Sequence, residues 1–140
     1  MQKPTFYAEI EFNIPFHDAD MMEIVWHGHY VKYFEIARCA LLDQIDYNYF
    51  AMRDSGYAWP VIDLRIRYVK SAVFGQNVTV SAVLAEWENR LKIDYLMSDT
   101  LTGAKLVKGH TIQVAVDMQN HEMCLQSPPV LFKKLGLMAP

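Results

Sequence analysis

From Phe6 to Phe16 the chain alternates. Phe6, Ala8, Ile10, Phe12, Ile14 and Phe16 are apolar, and Tyr7, Glu9, Glu11, Asn13 and Pro15 stand between them. A sustained period of two specifies a strand with one buried face and one wetter face. After an irregular stretch the period changes. Tyr30, Phe34, Ala37, Leu41 and Ile45 recur every three or four residues, and Val31, Ala40 and Leu42 widen the stripe. That spacing predicts a helix from about residue 28 to residue 45, largely buried by its broad apolar face. Cys39 falls within it and reads as a buried thiol. Residues 46–55 read as a shorter helical or irregular segment ending at Gly56. Four further period-two runs follow, over 62–69, 78–84, 91–97 and 111–116. Residues 88–90 and 99–103 have the length and composition of hairpin turns. Beyond Pro128 and Pro129, a short terminal helix is expected over 130–137. One strand, a long buried helix and four strands joined mostly by short turns spell an α+β fold with an antiparallel sheet.

Composition sets the bounds on function. A chain of 140 residues, 52 % hydrophobic, fills one packed domain over 1–140 and is short for two. Net charge is −3 and no Lys/Arg block appears, so the footprint of a nucleic-acid binder is missing. No apolar stretch reaches the roughly 18 residues that a membrane span needs. Met1-Gln2-Lys3-Pro4 shows no apolar core of a secretory signal. Cys39 and Cys124 are too few and too far apart for a disulfide framework. A cytoplasmic, reduced setting is the expectation.

The chemistry concentrates between strand and helix, where residues 17–30 hold two aspartates and three histidines. Asp20 is flanked by Met21, Met22, Ile24 and Val25. Partial desolvation by such neighbours raises a carboxylate's basicity, which suits a general base. Spacing alone also fits a solvated loop aspartate or a helix cap. Asp18 reads as a turn-stabilising residue or as a supporting carboxylate. The backbone N–H groups around His27, Gly28 and His29 open the helix. They lack intrahelical partners and lie at its positive end, so they are candidate oxyanion donors. Gly28 would let a substrate carbonyl approach the backbone closely. The His27 imidazole could orient Asp20 or a water, or line a pocket without acid–base duty. Trp26, Tyr30, Tyr33 and Phe34 form an aromatic wall that serves core packing, an acyl or aryl pocket, or both. His27 and His29 with Asp18 and Asp20 have the donor types of a zinc or iron site. Two histidines two apart at a helix start point in different directions, however, and no metal is expected.

Taken together, Asp18-Ala19-Asp20, Ile24-Val25-Trp26-His27, Tyr30 and then Tyr33-Phe34-Glu35-Ile36-Ala37-Arg38 resemble a known signature. It is that of the hotdog-fold thioesterases of the 4-hydroxybenzoyl-CoA thioesterase family: Asp-x-Asp-x-x-Gly-x-Val-aromatic-[His/Tyr]-x-Asn-Tyr, then a helix of the form aromatic-x-x-Ala-Arg. The resemblance implies a hotdog fold, a five-stranded antiparallel sheet wrapped around a long central helix. It implies hydrolysis of acyl- or aryl-thioesters of coenzyme A or acyl carrier protein to free acid and thiol. Asp20 would be nucleophile or general base, and the backbone amide at His27 would polarise the thioester carbonyl. No cofactor or metal is implied. Sites built between subunits imply a homodimer or homotetramer.

The chain departs from that signature at two positions. Glu23 stands where members usually carry Gly; if that position needs a positive φ, Glu is strained there. His29 stands where many carry Asn. The hairpin over 86–92 resembles the turn with which the family binds the nucleotide end of coenzyme A. It retains Arg90 and Lys92, with Glu86 and Glu88 set against them. Arg65, Arg67 and Lys70 of a neighbouring strand are further candidate phosphate ligands, or simply a solvated strand face. That charge balance keeps a carrier-protein thioester open as substrate. Two alternatives stand beside hydrolysis: a hotdog dehydratase or hydratase pairing His27 or His29 with Asp20, and a non-catalytic acyl-thioester-binding module, suggested by Glu23.

Overall fold

The switch of period marks the passage from β1 (Tyr7–Asn13) to α1 (His29–Gln44). The computed structural model describes residues 5–140, so the reading of Met1-Gln2-Lys3-Pro4 lies outside the described residues. After α1 come α2 (Tyr49–Asp54), β2 (Tyr57–Ala58), β3 (Val61–Tyr68), β4 (Asn77–Glu86), β5 (Leu91–Asp99), β6 (Lys105–Gln113), β7 (Val116–Asp117) and α3 (Pro129–Lys134). Five strands form an antiparallel sheet in the order β1-β4-β5-β6-β3, and β2 pairs with β7. The two expected hairpins join β4 to β5 and β5 to β6.

The apolar stripe of α1 does what its spacing requires. Tyr30, Tyr33, Phe34, Ala37, Leu41 and Leu42 are buried, and the helix packs on β1, β4 and β5. Phe34 stacks on Tyr95 of β5, with ring centroids 4.6 Å apart. Its ring also lies over Gly109 of β6, where a Cβ would overlap both Phe34 and the Arg65 carbonyl. Removing a buried ring of this kind costs about 3–5 kcal/mol. The helix stops where Asp46 takes a φ of 56° and the Tyr47 N–H turns back to the Leu42 carbonyl at 2.9 Å. The Asn48 side chain then caps α2 by accepting from the Ala51 N–H at 2.9 Å. The hotdog arrangement expected from the loop motif is the one observed.

Four expectations need correction. The first strand ends at Asn13, because Pro15 breaks the ladder and residues 16–18 form a 3-10 turn. Phe16 is therefore turned outward, edge-on to Phe74 at 5.6 Å. The last long strand begins at Lys105, earlier than its alternation suggested. Pairing on both sides, to β5 and β3, holds it without a clean pattern. Cys39 is exposed, because the buried stripe of α1 runs along its other side. Finally, the alternation in β3 promised a buried face, but Ile62 is 58 % and Leu64 42 % exposed. This strand is a sheet edge: Ile66 on its apolar side packs against the core, but the Ile62 and Leu64 end is left uncovered. Among the described residues, no helix is long and apolar enough to cross a membrane.

Candidate active site

The loop between β1 and α1 is a miniature hairpin. Ala19 bridges Val25, and within it the Asp20 N–H donates to the Ile24 carbonyl at 2.9 Å and the Glu23 N–H to the Asp20 carbonyl at 3.0 Å. Asp20 sits at the first corner and accepts the Met22 N–H on Oδ1 at 2.8 Å. That short-range bond is why an aspartate starts the turn. Glu23 has a φ of 63°, the left-handed conformation that favours glycine. The tip is tied down from outside: the Phe74 N–H donates to the Glu23 carbonyl and the Val25 N–H to the Ala72 carbonyl, both at 2.9 Å.

Asp18 is the hub of this region. Its side chain is only 2 % exposed. Oδ1 accepts from Lys32 Nζ at 2.7 Å, and Oδ2 accepts from Tyr33 Oη at 2.6 Å. His17 Nε2 and His29 Nδ1 lie 3.7 Å and 3.9 Å away. The Asp18 carbonyl takes the Trp26 N–H at 3.2 Å, so this one residue fastens both limbs of the loop to the start of α1. Burial pushes the Asp18 carboxyl up, but the bonds from Lys32 and Tyr33 outweigh it and hold it below the ordinary value. The Tyr33 hydroxyl is pushed up by burial and then by the Asp18 charge.

Asp20, by contrast, is exposed. Among the described residues its second carboxylate oxygen takes no hydrogen bond. At the helix start the N–H groups of His27 and Gly28 also donate to nothing among the described residues. The His29 N–H is already given to the Trp26 carbonyl at 3.0 Å. The His27 carbonyl accepts from Tyr68 Oη at 3.3 Å, which ties the helix start to the end of β3. The His27 side chain is exposed and makes no bond to Asp20.

Several sequence-selected residues take other places. At Gly28 the Trp26 ring lies where a Cβ would be, so the missing side chain makes room for the indole, and the Gly28 N–H keeps no partner among the described residues. Tyr30 is only 2 % exposed. It is buried in the core, and its hydroxyl accepts from the Ala72 N–H at 3.0 Å. Burial pushes its hydroxyl pKa up. On the hairpin, Arg90 Nε is paired with Glu86 Oε2 at 2.6 Å, and Lys92 Nζ lies 3.9 Å from Asp94. Arg65 lies beside His110 on the outer face of the sheet, and Lys70 is exposed just beyond β3.

A cavity of about 840 Å³ lies elsewhere. It runs along the C-terminal half of α1 and is walled by Cys39, Leu42, Phe50, Met52, Trp59 and Val61, among others. Glu35 and Arg38 stand at it as an ion pair, and Arg38 Nη1 is buried without a hydrogen-bond partner among the described residues. No residue of the 17–30 loop lines this cavity. Neither the cavity nor the role of Lys32 was picked out from the sequence. One signal was available for Lys32: a cation in the first turn opposes the helix dipole and calls for a nearby carboxylate.

The hotdog fold, with an exposed aspartate on the loop that leads into the long helix, defines a class, and comparison places the chain within it. The chain belongs to the thioesterase-like superfamily, whose model matches residues 14–134. It is 28 % identical to a Synechocystis protein assigned as an esterase, over 92 % of this chain and 78 % of that one. It is 23 % identical to a Bacillus subtilis protein assigned as an acyl-CoA thioesterase, over 89 % of this chain and 86 % of that one. A solved 1,4-dihydroxy-2-naphthoyl-CoA thioesterase from Synechocystis shares the fold, with a TM-score of 0.80 at 17 % identity over 93 % of each chain. The thioesterase class and hotdog architecture drawn from the loop motif are borne out.

Proposed function

We infer that the protein hydrolyses coenzyme A thioesters of bulky apolar acyl or aryl groups, with Asp20 as the reacting carboxylate. The observation that carries this reading is the state of Asp20. One oxygen is fixed by the Met22 N–H, the other is unengaged, and the residue faces solvent on the loop that leads to unpartnered amides. The thioester oxygen would accept from the His27 and Gly28 N–H groups, where the helix dipole favours the negative charge of the tetrahedral intermediate. Asp20 either attacks the carbonyl carbon, giving an acyl-aspartyl anhydride that water then cleaves, or takes a proton from the attacking water. In both routes the pantetheine thiolate leaves and is reprotonated. Names of relatives support the carrier, since one is assigned as an acyl-CoA thioesterase. The apolar cavity supports a bulky acyl group.

A second copy is part of this reading. An antiparallel pairing of β3 with its counterpart would cover the exposed Ile62 and Leu64. It would also set the Tyr68 end of one strand against the Val61 end of the other. Tyr68 holds His27, and Val61 lines the cavity. The loop of one protomer would then face the cavity of its partner.

The test is thiol release from a panel of short, long and aromatic acyl groups on coenzyme A and on acyl carrier protein. Turnover of bulky acyl-CoAs is expected. Asp20→Asn keeps the acceptor for Met22, so melting should be unchanged while kcat falls about a hundredfold or more. An Asn variant with near wild-type kcat removes Asp20 from the mechanism. Turnover confined to carrier-protein thioesters removes coenzyme A as the carrier.

A further inference from the structure

Two peptide units carry the amides assigned above to the thioester oxygen. The Trp26–His27 unit holds the His27 N–H, and the His27–Gly28 unit holds the Gly28 N–H. Each unit has its carbonyl already engaged. The Trp26 carbonyl accepts the His29 N–H at 3.0 Å, and the His27 carbonyl accepts from Tyr68 Oη at 3.3 Å. A peptide is one resonant group, so a donor at its oxygen draws electron density from its nitrogen and makes the N–H a stronger donor. Hydrogen bonds chained in this way reinforce one another by about 10–30 % per bond. The first of the two is backbone to backbone. The second comes from a side chain 41 residues further on, at the last position of β3.

The fold does not need that second bond. Tyr68 and His27 are both exposed, so water could serve the hydroxyl and the carbonyl alike. The Tyr68 ring is nevertheless held. It meets Tyr30 edge-on at 5.5 Å, and the Tyr30 hydroxyl is itself pinned by the Ala72 N–H at 3.0 Å. A donor that stabilises developing charge has to be fixed before the reaction, and this is such a support. We propose that Tyr68 is a positioning residue for thioester hydrolysis, acting through the His27 carbonyl to aim and strengthen the Gly28 N–H. This role rests on the helix start as the oxyanion site and is independent of whether Asp20 is nucleophile or base. Tyr68 does not touch the substrate in it. The gain falls on charge that develops in the transition state, so kcat carries it and KM does not.

Tyr68→Phe keeps the ring against Tyr30 and removes only the hydroxyl. With the whole chain and one acyl-CoA, kcat should fall about three- to tenfold, part of the roughly hundredfold or more that loss of an entire oxyanion donor costs. KM should stay within about twofold. Melting should be unchanged. Infrared difference spectra read the donor directly. A thioester isotope-labelled at its carbonyl and bound to Asp20→Asn should show a carbonyl stretch lowered from that of the free thioester. Adding Tyr68→Phe should move the stretch back towards the free value. A wild-type kcat in Tyr68→Phe, or a stretch that does not move, overturns the proposal. So does a raised KM at unchanged kcat, which would make Tyr68 a substrate contact. If Asp20→Asn turns over at the wild-type rate, the assignment of Asp20 falls and the Tyr68→Phe kinetics still decide this one. No thiol release from any acyl-CoA by the wild type overturns both.

Discussion

Tyr33 Oη donates to Asp18 Oδ2 at 2.6 Å, joining the first turns of α1 to the loop that carries Asp20. With Lys32 on the other oxygen, it turns a buried carboxylate from a cost into a brace. It also supplies the negative charge that a helix start bearing His29 and Lys32 lacks. The first Asp of the motif is thus the structural one, and the second is the exposed one.

Asp18→Asn should destabilise the fold by about 1–3 kcal/mol at neutral pH, because it strips the charge that Lys32 and Tyr33 were placed to meet. The pH dependence follows from the direction of the shift. The folded carboxyl titrates below its ordinary value. Its stabilisation is therefore present above about pH 3.9, the unfolded value, and is lost as pH falls through the lower folded value. Urea unfolding at pH 7 and near pH 3 should show a wide gap between wild type and variant at pH 7 that narrows at pH 3. An equal gap at both would contradict this account.

Glu23→Gly should stabilise the protein. The left-handed backbone at Glu23 costs a side-chain-bearing residue about 1–2 kcal/mol, and the extra chain entropy of Gly returns about 0.5–1 kcal/mol of that. A net gain of up to about 1 kcal/mol is expected, read as a higher urea midpoint at an unchanged slope. A lower midpoint would mean that the Glu23 side chain contributes something the backbone does not reveal.

Much of the sheet and the central helix were legible because their periods are long: Phe34, Ala37 and Leu41 recur at the spacing of one helix face, and all three are buried. The loop was legible by a different route. The glycine position of the signature raised a positive φ at Glu23 as one of two outcomes, and a φ of 63° is the one observed. Tyr30 misled because its spacing fits both a core and a pocket wall, and only the Ala72 N–H reaching its hydroxyl decides between them. Gly28 misled because the ring that fills its vacancy comes from two residues earlier, and rotamers are not written in spacing. The cavity was out of reach, since it joins α1 to residues near 50, 59 and 116 that only the topology brings together.

Leu64→Lys tests the assembly. Edge strand β3 leaves Ile62 and Leu64 half exposed, and an unpaired edge of this kind invites a second strand. Sedimentation of the wild type should report a dimer or larger species. The lysine, placed at that uncovered end, should shift it to monomer and lower turnover along with it. A wild-type monomer that is active at micromolar concentration would refute the shared site.

Arg90→Ala tests the hairpin as a nucleotide site. Arg90 Nε is 2.6 Å from Glu86 Oε2, an exposed pair four residues apart. Pairs of this kind contribute about 0.2–1 kcal/mol to stability, so folding should barely change. The Glu86 carboxylate also offsets much of the attraction that Arg90 would exert on an incoming phosphate. A matched acyl group on coenzyme A should therefore show a KM within about twofold of wild type, a shift of about 0.4 kcal/mol. A KM that rises tenfold for the coenzyme A thioester, while the pantetheine thioester is unaffected, would mean that the phosphates outcompete Glu86 for Arg90. The hairpin would then hold the nucleotide despite its carboxylates.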